Sequence, residues 1–251
     1  MELLDSISQR IELVLAVVNE TLNHIVSNQR KRIRKWRNYV KVLGKPKIFC
    51  IGMNKTGTTS IAKTFKNLGF VVGNQRQAEL LLDTYTARDF KPIIGYCRTA
   101  QVFQDFPFSY PETYKHLEKA FPRSKLILTV RNDAEQWYES ITRFHAKLFG
   151  CGRIPTAEQL KNATYVRRGW MWQCAQELCK TPEDDPYNKE MLIRRYNSYN
   201  QEVIEYFSGR PEDLVVINLA ERGAYKRLMD FLDIQSPFDD FPWRNKTNPR
   251  E

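Results

Sequence analysis

Pro46-Lys47-Ile48-Phe49-Cys50-Ile51-Gly52-Met53-Asn54-Lys55-Thr56-Gly57-Thr58-Thr59-Ser60 is the stretch that decides the fold, with Ile61, Phe65, Leu68 and Gly69 behind it. The apolar run 48–51 predicts a buried strand. Ile61, Phe65 and Leu68 recur at helical spacing and Gly69 is a helix-stop residue, so a helix is expected after the turn. Between them lies a glycine-bearing turn rich in hydroxyls, aimed at a helix N-terminus. Free backbone N–H groups and the helix dipole both favour an anion at that place, so the turn reads as a phosphate-binding loop (P-loop).

A nucleotide triphosphatase loop has the order G-x-x-x-x-G-K-S/T. Gly52 and Gly57 have that separation, but Thr58 stands where the lysine must follow, and the lysine comes earlier, at Lys55. Such an enzyme needs its lysine on the terminal phosphates and a magnesium-holding acid, so this loop does not fit the class.

The charge distribution points the same way. From Thr21 through Ala78 there is no Asp or Glu, while that span carries thirteen Lys and Arg residues. A field of this kind attracts a polyanionic ligand. Nucleic acid is disfavoured as a partner. The basic residues are not interleaved with aromatic platforms, and no helix-turn-helix or zinc-finger spacing occurs. Five cysteines without a C-x-x-C pair argue against a disulfide framework and a structural zinc site.

At the N-terminus Leu4, Ile7, Ile11, Val14 and Val18 repeat at three- and four-residue steps, which predicts a long amphipathic helix. Arg30, Lys31, Arg32, Arg34, Lys35 and Arg37 follow around Trp36. Residues 1–42 are therefore expected to form a helix and basic linker that packs, self-associates or touches a membrane surface. Residues 43–251 are expected to form one α/β domain, a three-layer sandwich with a central, mainly parallel sheet. Acidic Glu2 and Asp5 do not suit a signal peptide. With the unpaired cysteines, this leads to an expectation of a cytoplasmic protein, with association to a membrane surface as the alternative.

Further along, Phe70-Val71-Val72 predicts a short strand, and Asn74 caps a helix through Leu80, Leu81 and Leu82. The segment 99–108 predicts a strand that ends at Asp105, before Pro107. Ligands of parallel sheets lie beyond the carboxyl ends of strands, which puts Asp105 in a reacting position. A strand over 126–130 runs into Arg131. Asn132 or Asp133 then caps a helix, with Glu135 or Gln136 completing a capping box. An arginine at a strand end can grip a phosphate in bidentate fashion. From Gly150 to Asp185 the reading is irregular, apart from a short helix that begins at the Thr156–Gln159 capping box. Trp170 and Trp172 there are core aromatics or walls of a pocket. Leu192, Tyr196, Tyr199 and Val203 predict a long helix over 187–207, 214–217 a buried strand, and Tyr225, Leu228, Met229 and Leu232 a last helix.

The order Lys55-Thr56-Gly57-Thr58-Thr59 resembles the phosphosulfate-binding loop of sulfotransferases that use 3′-phosphoadenosine 5′-phosphosulfate (PAPS), whose usual form has Ser in second place. The strand followed by Arg131 and a downstream Ser140 resembles the second motif of that family, 76 positions after Lys55. The wider stretch Gly52-Met53-Asn54-Lys55-Thr56-Gly57-Thr58-Thr59-Ser60 looks most like the bacterial-type members. The resemblance implies that Lys55, Thr56, Gly57, Thr58, Thr59 and Ser60 hold the phosphosulfate and that Lys55 is catalytic. It implies that Arg131 and Ser140 hold the 3′-phosphate, and that Arg244 and Lys246 close the nucleotide site. Asp105 stands where the family places a His or Glu base, with His116 as its rival. Ser140 departs from the pattern, lying one residue further from Arg131 than is usual. PAPS is then the co-substrate, adenosine 3′,5′-bisphosphate the product, and no metal is required. The acceptor stays open between sugar, lipid, peptide and small phenol. A P-loop kinase and a non-enzymatic phosphate-loop protein remain the alternatives.

Overall fold

The computed structural model describes residues 19–27, 29, 33 and 36–242. Two compact units divide the chain, Met1–Leu43 and Gly44–Glu251. In the first, residues 19–27 and 36–42 are helical. Leu4, Ile7, Ile11, Val14 and Val18, which carry the expected N-terminal repeat, lie outside the described residues. No helix among the described residues is long and apolar enough to cross a membrane.

The second unit is α/β. Its elements are β1 (Ile48–Cys50), α1 (Thr58–Asn67), α2 (Gln75–Glu79), α3 (Leu82–Thr86), α4 (Lys91–Tyr96), β2 (Val102–Gln104) and α5 (Thr113–Ala120). They continue with β3 (Lys125–Thr129), α6 (Ala134–Phe149), α7 (Ala157–Asn162), α8 (Trp170–Cys179), α9 (Lys189–Tyr206), β4 (Leu214–Ile217) and α10 (Ala224–Phe231). The sheet order is β2-β1-β3-β4 with every pair parallel.

Alternation along the strands makes the three layers. Phe49, Phe103, Leu126 and Leu128 face one core with Trp137, Ile141, Tyr196 and Tyr199 of α6 and α9. Ile48, Cys50, Val102, Ile127 and Ile217 face the other, with Ile61 and Phe65 of α1 and Leu228 and Met229 of α10. Strands buried on both faces read as continuous apolar runs, which is why 48–51 and 126–130 were legible. The chain leaves β1 toward β2 and later returns past it to β3. Their carboxyl ends therefore flank the reversal point of the strand order, where a crevice opens.

Three local expectations change. Only Val72 of the segment 70–72 pairs, as an isolated parallel bridge to Val102. The C-terminus of α1 still engages Phe70, whose N–H donates to Phe65 O, and leaves too few residues for a strand. The helix expected through Leu80–Leu82 is two short helices, α2 and α3, the first capped by the Asn74 side chain on Gln77 N. The segment read as irregular contains α8, which buries Trp170, Met171, Cys174 and Leu178 on one face. Gly169, at φ 75°, takes its N-cap; the glycine that suggested a loop is the residue that starts the helix.

Phe49 is fully buried in the middle of the sheet. Its ring stacks at 5.6 Å from Phe103 and 6.0 Å from Phe108. Phe49→Ala is expected to lower the unfolding free energy by about 3–5 kcal/mol. Urea titration checks this, and a loss below about 1 kcal/mol would mean that the core does not turn on this strand.

Candidate functional site

The turn after β1 is braced through its carbonyl groups. Tyr199 donates its hydroxyl to Ile51 O at 2.8 Å. Thr56 donates its hydroxyl to Met53 O at 2.5 Å. Trp137 Nε1 donates to Asn54 O at 3.0 Å, and Arg131 Nε donates to Lys55 O at 2.7 Å. With these oxygens tied back into the protein, the amide edge of the turn is left for a ligand. Gly52 lets the chain leave β1 past β3, since a Cβ there would lie 2.1 Å from Thr129 Oγ1.

Gly57 is the N-cap of α1 at φ 108° and supplies no capping side chain. Among the described residues no protein acceptor meets the N–H groups of Gly57, Thr58 or Thr59. Those three residues and Ser60 line a cavity of about 740 Å³. The helix N-terminus thus opens into the cavity with unmet donors, which suits an anion. Thr56 belongs elsewhere. It is buried, and its hydroxyl lies 2.6 Å from Thr129 Oγ1 as well as on Met53 O. Its N–H also points to Met53 O. Thr56, placed by its sequence position among the ligand-holding residues, turns its hydroxyl to Met53 O and Thr129 and is not among the residues that line the cavity.

Lys55, Asp105, Arg131 and Ser140 line the same cavity. Lys55 adopts a left-handed backbone (φ 68°), and so does Asp105 (φ 62°). Lys55 Nζ rests 3.7 Å from the centroid of the Phe144 ring. Burial, and then Arg131, hold its ammonium below the usual lysine range, while Asp105 opposes them. Burial pushes the Asp105 carboxyl up, against the Phe106 N–H, which donates to Oδ1 at 2.9 Å, and against Lys55. Burial also lowers the Arg131 guanidinium. The Arg131 N–H donates to Tyr196 Oη at 2.9 Å, so β3 is pinned where it leaves the sheet.

Asp133 caps α6 by accepting from Gln136 N at 2.7 Å, and the Gln136 side chain accepts from Asn132 N at 3.2 Å. From that start α6 presents Ser140, Arg143, Phe144 and Lys147 to the cavity. Ser140 stays on the cavity face despite its extra residue of spacing. His116, the rival to Asp105, stacks on Phe90 at 3.8 Å and lies on the exposed side of α5, away from the cavity wall. Arg244 and Lys246 lie outside the described residues.

Sequence reasoning missed Glu79 and His145. Glu79 lines the cavity, is paired with Arg76 at 2.9 Å, and has its carboxyl raised chiefly by burial. His145 is buried on α6 with Nδ1 2.7 Å from Tyr187 Oη. Burial, then Lys55, lower its pKa to about 4. Arg143, Phe144 and Lys147 follow from carrying the helical register of Ser140 onward by three, four and seven residues, whereas His145, five residues on, does not. Among the described residues no group of three His, Cys, Asp or Glu side chains could hold a metal ion.

The family model described as "Sulfotransferase domain" matches residues 47–249. The chain belongs to the sulfotransferase family. No curated protein matches it. The matched span contains the whole sheet and every cavity-lining residue named above.

His145 makes stability depend on pH. Its folded-state pKa lies below the free value of 6.5. Its contribution is therefore complete above that value, and is lost as pH falls and the unfolded chain takes up the proton. Between about pH 7.5 and about pH 5 the wild type is expected to lose about 2 kcal/mol more than His145→Phe. Urea unfolding of both proteins at the two pH values measures the difference, and parallel losses would place the histidine in contact with water.

Proposed function

We propose that this sulfotransferase moves a sulfuryl group from PAPS to an acceptor hydroxyl by in-line displacement. One observation carries the reading: Lys55 and Arg131 are joined by a hydrogen bond at the edge of a cavity into which an uncapped helix N-terminus opens. The bound nucleotide supplies the activated sulfuryl group and two anionic ends.

The N–H groups of Gly57, Thr58 and Thr59, with the hydroxyls of Thr58, Thr59 and Ser60, suit the 5′ end. The Arg131 guanidinium has its Nε committed to Lys55 O, which leaves its two terminal nitrogens for the 3′-phosphate, with Ser140 beside it. Lys55 neutralises the charge that develops on the leaving oxygen, an electrostatic role that needs its ammonium protonated. Asp105 takes the proton of the acceptor hydroxyl, which needs its carboxyl ionised. The raised carboxyl of Asp105 and the lowered ammonium of Lys55 bring the two closer to neutrality than free side chains are.

Isothermal calorimetry is expected to give binding of adenosine 3′,5′-bisphosphate without magnesium, and none of ATP with magnesium. Arg131→Ala should weaken the bisphosphate by about tenfold to a hundredfold, the worth of a charged hydrogen bond. Unchanged affinity would remove Arg131 from the nucleotide site.

Lys55→Ala should lower kcat by about a hundredfold or more while the fold is kept. Asp105→Asn should lower kcat with bisphosphate affinity intact. In the wild type, activity should rise with pH as Asp105 ionises and fall again as Lys55 loses its proton. Retention of the acid limb in Asp105→Asn would move the base role to another group.

A further inference from the structure

The first unit turns apolar side chains to solvent in a regular pattern. In the helical stretch 19–27, Leu22, Ile25 and Val26 lie on one side, because three- and four-residue steps return to the same face of a helix. In 36–42, Trp36 and Val40 do the same, and Leu43 follows three residues on. Ile33 stands seven residues after Val26 and three before Trp36, so the sequence keeps one register between the two stretches. All of them are exposed: Leu22 is 53%, Ile33 57%, Trp36 67% and Leu43 65% open to solvent. Val42 is the one buried apolar residue described in this unit, and it stands off the register, two residues after Val40. Single exposed apolar residues are ordinary, but a stripe of them in register marks a surface that something covers.

Charge identifies what covers it. From Thr21 to Leu43 there is no Asp or Glu, and seven Lys and Arg lie between Arg30 and Lys41. Arg37 and Lys41 are among the described residues, and both are exposed. A second copy of the chain laid parallel would bring seven more cations and no carboxylate to pair with them, the reverse of what flanking positions supply in a helix pair. Laid antiparallel, it would offer four acids, from Glu2 to Glu20, against those seven, and the pair would stay positive. A nucleic acid would meet the cations and leave the apolar stripe in water. An anionic bilayer surface meets both, since its headgroups take the cations while Leu, Ile and Val side chains enter the acyl boundary. Trp36 and Tyr39, both exposed, are of the two residue types that favour the headgroup level. No helix among the described residues is long and apolar enough to go further and cross.

We propose that residues 22–43 dock on an anionic lipid surface, with the stripe from Leu22 to Leu43 in the boundary between headgroups and acyl chains and the cations of the same stretch among the headgroups. Docking of this kind is independent of the reaction at the second unit's cavity.

The test is sedimentation of the full chain with vesicles of phosphatidylcholine alone and of phosphatidylcholine with about 30% phosphatidylserine. The expected result is binding to the anionic vesicles that falls as salt is raised, and binding to the neutral ones that is weaker by about tenfold or more. Ile33→Asp and Trp36→Asp, both at exposed positions, should each weaken vesicle binding by about tenfold or more, the effect of losing a buried apolar side chain. Arg37→Glu combined with Lys41→Glu should weaken binding to the anionic vesicles. Urea unfolding should match the wild type in all of them, which separates lost docking from a lost fold. With brominated acyl chains, quenching of tryptophan emission should fall in Trp36→Phe while binding is kept. Equal binding to both kinds of vesicle, or anionic binding that Trp36→Asp leaves intact, overturns the proposal. Absence of vesicle binding also overturns it, and a dimer split by Trp36→Asp would then assign the stripe to a second copy. Tighter binding of a single-stranded oligonucleotide than of the anionic vesicles overturns it in favour of nucleic acid.

Discussion

A single hydrogen bond, from Arg131 Nε to Lys55 O at 2.7 Å, fixes the geometry on which the site depends. It joins the exit of β3 to the turn after β1, two places 76 residues apart in sequence. The parallel pairing of β1 with β3 brings the strand ends together. The hydrogen bond ties the Arg131 guanidinium to the backbone that carries Lys55. Both cations are partly withdrawn from water, and each has its charge disfavoured by burial. Cations held this way are stabilised best by a ligand with anionic groups at matching places.

The rest of the loop follows the same logic. Tyr199, Trp137 and Thr56 hold three more of its carbonyl oxygens. These braces come from the core, where Trp137 stacks on Tyr196 at 4.7 Å. Packing of α6 and α9 on the sheet is therefore also what shapes the turn. The left-handed conformations of Lys55 and Asp105 are consistent with this, because such backbone is held only where surroundings over-determine it.

The parts of the site that were legible in the sequence are those whose chemistry is local. A strand, a glycine turn and a helix start lie within 48–61, so their joint meaning needs no tertiary information. Arg131 was legible because it ends an apolar run at a capped helix. The misses have a different cause. Thr56 looked like a ligand-facing hydroxyl, and only the position of Thr129 on a neighbouring strand shows that it faces inward. Glu79 and His145 gain their place from burial against α8 and Tyr187, contacts between distant segments. α8 itself was hidden by Gly169 and Pro182, because a glycine at an N-cap and a glycine in a loop look alike in sequence.

Gly57 has one more effect. A Ser or Asp at an N-cap would close the first turn of a helix on its own side-chain oxygen, and contributes about 1 kcal/mol in ordinary helices. Here the backbone is left-handed, a Cβ would lie 2.7 Å from Leu219 Cδ2, and the first turn stays open. The protein leaves α1 unfinished at the end that faces the cavity, an opening whose chemistry suits an oxyanion as the missing cap.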